Sequence, residues 1–249
     1  AAASVWRARA SSATAVDAEV LAGCAVAALA AAVPAVFEGG SVAPAWCVAG
    51  VTVVLLGARR ADPVVAVGGL GMIALAQLQL LAECLPFHDG PFTPFANGPF
   101  LSFASPSVAL VVAGFVLGWR GPWHALAGLA KIGGAWLYAP VLFFELMLGF
   151  VENRVRWGAG VEEYGLAAGV AGLGLYAAAL ALAVRGRRPA ALVAPLGVLA
   201  PAVIVGFVVI FALDRPGYVP LWSAAFGTGL ALVLAAAATT AAARGTLRN

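Results

Sequence analysis

Charge is scarce in this chain. Lys, Arg, Asp and Glu supply 10% of its 249 residues, 63% are hydrophobic, and the mean hydropathy is +1.00. A soluble domain carries about a quarter charged residues, scattered through its apolar stretches; here they are missing. Polar–apolar alternation, the mark of a membrane β-barrel, is absent as well. There are only two histidines, too few for a His-rich iron or zinc centre, and no metal site is expected. Cys24, Cys47 and Cys84 lie in or at the ends of apolar segments without a CxxC pairing, which suits small buried side chains rather than a disulfide or metal set. No basic tract interleaved with aromatics exists, so nucleic acid is not an expected partner. Walker A, dinucleotide, HExxH and GxSxG signatures are absent, as is the Asp-rich pair that holds magnesium diphosphate. With no soluble catalytic domain in the sequence, any chemistry belongs to the membrane or its edge.

What the chain does have is long apolar runs. Eight can be drawn, at 19–37, 43–57, 63–85, 103–118, 122–150, 164–184, 190–213 and 219–243. The second and fourth are short for a span of about 20 residues, so a count of seven stays open. Charge placement favours eight. With the N-terminus on the positive side, ten arginines (Arg7, Arg9, Arg59, Arg60, Arg120, Arg185, Arg187, Arg188, Arg244 and Arg248) share that side, against Arg154, Arg156 and Arg215 on the other. Merging two segments would scramble this order. The expected fold is therefore an all-α integral membrane bundle of about eight transmembrane helices, with both termini on the positive side.

Residues 1–18 read as a polar extension of Ala, Ser and Arg with no acid before Asp17, and residues 19–249 as a single transmembrane domain. An acid-poor, Arg/Ser-rich start beginning with Ala is the composition of an organelle-targeting region or of a mature start beside its cut site. The alternative is an ordinary positive-side extension that orients the first span. The expected location is an integral membrane, with the mitochondrial inner membrane and the thylakoid as candidates. Basic turns before proline at 58–63 and 185–189 suggest a four-plus-four duplication, for which coincidence is the default. Residues 86–102 carry GPF, TPF and GPF, and their prolines and glycines argue against a regular helix. They suit a headgroup-level or interface loop, with a lid over a cavity as the functional alternative.

One segment carries a stripe of polar residues. His124, Lys131, Tyr138, Glu145 and Glu152 recur at intervals of seven, which brings each back to nearly the same helix face with a drift of about 20°. His124 and Glu152 fall at the ends. Lys131 can snorkel toward the positive side, whereas Glu145 needs a proton, a partner or water. Pro140 lies between them and predicts a local bend. Glu83, with Gln77 and Gln79 on the third segment, reaches a depth comparable with Glu145. If those segments adjoin, two carboxylates converge beneath His88 and Asp89 and can share a proton.

Three functional readings follow. The first is an accessory or structural subunit of a larger membrane complex, with membrane lipids and other membrane subunits as partners. The second is an intramembrane enzyme acting on a sterol, isoprenoid or lipid, with Glu83 and Glu145 as its acid/base pair. The third is a proton-coupled small-molecule transporter that also uses Lys131. Bound lipid is the expected companion molecule, and a pigment or haem with His124 as axial ligand is a further option.

Overall fold

The computed structural model describes residues 2–82, 93–120, 123–152, 162–185, 189–212 and 224–247. They form eight α-helices: α1 (Ala2–Val36), α2 (Val42–Arg60), α3 (Pro63–Ala82), α4 (Gly98–Arg120), α5 (His124–Glu152), α6 (Glu162–Ala183), α7 (Val193–Ala212) and α8 (Ala224–Leu247), with short 3-10 turns at Gly39–Ser41 and Pro189–Leu192. No β-strand occurs among the described residues. Among the described residues seven stretches, 19 to 27 residues long, are apolar enough to cross a membrane, and Val193–Val208 is a shorter apolar helix. The protein is an all-α, multi-span integral membrane protein.

Two boundaries differ from the sequence reading. Residues 2–18 run helically into the first span, making α1 35 residues long. The fourth segment begins at Gly98 rather than 103, so the end of the Pro/Gly-rich stretch is helical. Asn97 explains the second shift. Its Oδ1 accepts the Phe100 N–H at 2.7 Å, an N-cap bond, and Pro99 sits in the first turn, where its missing donor costs nothing.

The chain divides into two compact units, Ala1–Leu85 with Val108–Lys131, and Pro86–Ser107 with Ile132–Asn249. In the first, α2 and α3 form an antiparallel hairpin. The turn places Ala61 in the left-handed region (φ 53°), with its N–H on Gly57 O, and Asp62 then caps α3 by accepting the Val65 N–H at 3.1 Å, ahead of Pro63. The backbones cross at Gly50 and Gly69. A Cβ on Gly69 would lie 2.6 Å from Gly50 O and 2.7 Å from Val54 N, so only glycine permits this approach. Small residues suit an environment where water supplies no drive for helix association.

Prolines inside the helices leave carbonyls that lipid cannot satisfy. Pro34 removes the donor for Ala30 O, and Trp46 on α2 supplies its indole N–H there at 2.7 Å. Pro106 in α4 likewise leaves Ser102 O, which accepts the Ser105 hydroxyl at 2.8 Å.

In the second unit α6, α7 and α8 pack on one another. Ala139, Leu173, Ala177, Val198, Ala202 and Ala235 form its buried centre. Phe143 and Leu146 of α5 lie against Gly169 and Gly172 of α6, and the Tyr176 hydroxyl donates to Ala135 O at 3.2 Å. Trp136 rests on Gly197 of α7 and donates to Ala194 O at 3.2 Å.

Candidate functional site

The five stripe residues all belong to α5, whose 29 residues extend about 42 Å at 1.5 Å each. His124, the first residue, is exposed. The Glu152 side chain, and the whole of Glu83, His88 and Asp89, lie outside the described residues. The convergence of Glu83 with Glu145 therefore has no geometry here. Gln77 and Gln79 are half-buried on α3.

Lys131 is half-buried in the first unit, beside α4. A Cβ on Gly114 would lie 2.6 Å from the Lys131 Cγ and 2.8 Å from Ala127 O, while a Cβ on Gly118 would lie 3.5 Å from its Nζ. The lysine stem thus starts opposite Gly114 and its ammonium ends opposite Gly118, one turn closer to Arg120. That is a snorkel along a GxxxG track. Nζ also sits 4.2 Å from the centroid of the Phe115 ring, a cation–π distance.

Tyr138 and Glu145 belong to the second unit. Phe95, Phe100, Tyr138 and Tyr176 form a chain of edge-to-face rings, with centroids 5.4, 6.5 and 5.5 Å apart. Glu145 is 6% exposed, the one buried carboxylate among the described residues. Its Oε1 accepts two hydrogen bonds, from Phe95 N–H at 2.7 Å and from Asn97 Nδ2 at 2.8 Å.

The segment it holds is a tight turn. Ala96 N–H donates to Thr93 O at 3.2 Å across Pro94 and Phe95, and Phe95 has φ 60°. Proline at the second position and a left-handed third residue are features of a type II turn, whose third position normally takes Gly or Asn. A bulky side chain there costs about 1–3 kcal/mol and persists only when its surroundings enforce it. The Glu145 carboxylate and the ring contact with Phe100 do so. Asn97 completes the arrangement: its Nδ2 also donates to Thr93 O at 3.2 Å while its Oδ1 caps α4.

Chemically, this is a carboxyl oxygen held by amide donors. Backbone and carboxamide N–H groups carry no transferable proton, so neither of these two bonds is itself a proton-transfer contact. Among the described residues no group of three or more His, Cys, Asp and Glu could hold a metal ion. Cys24 is exposed and Cys47 buried, both as thiols. The sequence reading did not identify Asn97 or Phe95 as partners of Glu145. The available signal was Asn97 preceding Gly98-Pro99, an N-cap pattern inside a stretch that otherwise reads as turns. Compared with protein-family models, curated proteins and solved structures, the chain matches none.

Proposed function

We propose that the chain is an accessory, structural subunit of a larger membrane assembly, spanning the bilayer eight times with both termini on the arginine-rich side. The observation that carries this reading is the state of Glu145. The most costly residue of the polar stripe is engaged in fixing the 93–97 turn against α5 and ordering the start of α4. The same economy holds elsewhere: the Lys131 stem fills a glycine track, and Trp46 and Ser105 satisfy carbonyls that prolines leave open. Polar groups used this way build a rigid scaffold whose outer faces are apolar and rich in small residues, suited to neighbouring helices and lipid. The proposal extends to an energy-converting organelle membrane, with the mitochondrial inner membrane and the thylakoid as candidates.

The test is purification of the tagged full chain at native expression from membranes dissolved in a mild detergent, followed by native electrophoresis and mass spectrometry. The expected result is a species far above the 25.0 kDa of the chain, with partners in fixed ratio that Glu145→Gln leaves in place. A chain that runs alone or only with itself, or whose Glu145→Gln form assembles normally while losing a turnover activity, overturns the reading.

A further inference from the structure

An apolar groove lies open between α1 and α3 in the first unit. These helices run the same way, since Gly23 stands beside Val64 and Val26 beside Gly68. Their contact is slight, and the open groove along it offers about 760 Å³ lined by apolar residues that include Ala27, Val67, Gly71 and Leu75. A Cβ on Gly71 would meet nothing within 4 Å, so this wall has real space in front of it.

Depth and charge identify an occupant. Along α3 the lining runs from Pro63 to Leu75, about 18 Å at 1.5 Å per residue. Half of a hydrocarbon core about 30 Å thick is about 15 Å. The groove is therefore one leaflet deep, and it starts at the arginine-rich end. Arg59 and Arg60 finish α2 just before the mouth at Pro63, and both are exposed. Asp62 has one carboxylate oxygen on the Val65 N–H. Arg60 stands level with Pro63, because the antiparallel hairpin pairs Gly57 with Ala66. Two guanidiniums at the mouth match a headgroup phosphate above a slot sized for hydrocarbon.

We infer that this groove binds a phospholipid of the arginine-side leaflet, with an acyl chain between α1 and α3 and its phosphate at Arg59 and Arg60. Such a lipid fills the space that the loosely packed α1 leaves and fastens that helix to the hairpin. The inference uses the topology proposed above but not the role in an assembly.

The full chain is placed in nanodiscs of mixed phosphatidylethanolamine and phosphatidylglycerol, released into detergent and weighed by native mass spectrometry. Wild type should retain a phospholipid adduct. Gly71→Phe and, from the facing wall, Ala27→Phe should abolish it without altering helicity, and Arg59→Gln with Arg60→Gln should reduce its retention about tenfold. An adduct unchanged in both phenylalanine variants overturns the inference. So does a photo-crosslinker at position 71 that captures a second copy of the chain or another protein's helix instead of lipid. That last outcome leaves the assembly reading standing, so the two proposals fail separately.

Discussion

Replacing Glu145 tests whether its carboxylate holds the 93–97 turn. Glu145→Leu keeps a side chain of similar bulk but removes the acceptor of two hydrogen bonds. Asn97 Nδ2 retains Thr93 O, so the Phe95 N–H is the donor left without a partner. A buried donor without a partner costs about 1–3 kcal/mol, and hydrogen bonds to a charged group are worth about 1.5–3 kcal/mol each. Relief of the left-handed Phe95 backbone returns part of this, and the net expectation is a loss of about 2–3 kcal/mol. Glu145→Gln retains a carbonyl acceptor for both donors, so its cost should stay near 1 kcal/mol. The decisive variant is Asn97→Asp. It can still cap α4, but it turns a carboxylate oxygen toward Glu145 where a donor stood at 2.8 Å. It should therefore destabilise more than Asn97→Ala, and Glu145→Gln should rescue it by turning an amide N–H toward the new carboxylate. The double-mutant coupling should reach about 1–3 kcal/mol. Unfolding of the full chain in mixed micelles, followed by far-UV circular dichroism, reads each value. If Glu145→Leu unfolds with wild type, or Asn97→Asp gains nothing from Glu145→Gln, the carboxylate does not hold the turn.

Trp46→Phe should cost about 1 kcal/mol by exposing Ala30 O to lipid, and much less beside Pro34→Ala, which restores the backbone donor to that carbonyl; equal cost in both backgrounds would refute the pairing. Gly114→Ala should cost about 1–3 kcal/mol, because its methyl meets Ala127 O and the Lys131 stem, whereas Gly118→Ala, with nothing nearer than 3.5 Å, should stay within about 0.5 kcal/mol in the same unfolding assay. Ser107→Ala should raise stability by about 1 kcal/mol, since the hydroxyl is buried without a hydrogen-bond partner among the described residues; a loss in the isolated chain would mean that the hydroxyl has one.

The spans were legible because length and apolarity alone require helices in a bilayer. Their ends were less so, for reasons tied to single residues. Gly98 and Pro99 read as loop when counted as breakers, yet Asn97 converts them into a helix start. Residues 2–18 read as a separate polar piece, and nothing in their composition opposes helix. The stripe on α5 was visible as a heptad, but the periodicity of a helix says nothing of what returns to meet it. Glu83 was the partner sought for Glu145, on the reasoning that carboxylates at equal depth converge. The partners found, Phe95 and Asn97, come from a turn 50 and 48 residues upstream, and one of them donates through its backbone, which carries no residue-type signal. The Trp46 and Ser105 bonds were hidden for the same reason: their acceptors are backbone carbonyls made available by proline.

These details bear on what an ionisable residue in a span signifies. Polar groups at membrane depth are read as functional because they are costly, and the cost must be recovered through something. In this chain the recovery is visible within the fold. Lys131 places its stem on a glycine track with its ammonium one turn toward the basic end, and Glu145 accepts the Phe95 N–H of the 93–97 turn. The polar stripe thus contributes a fastening inside each compact unit, Lys131 in one and Glu145 in the other.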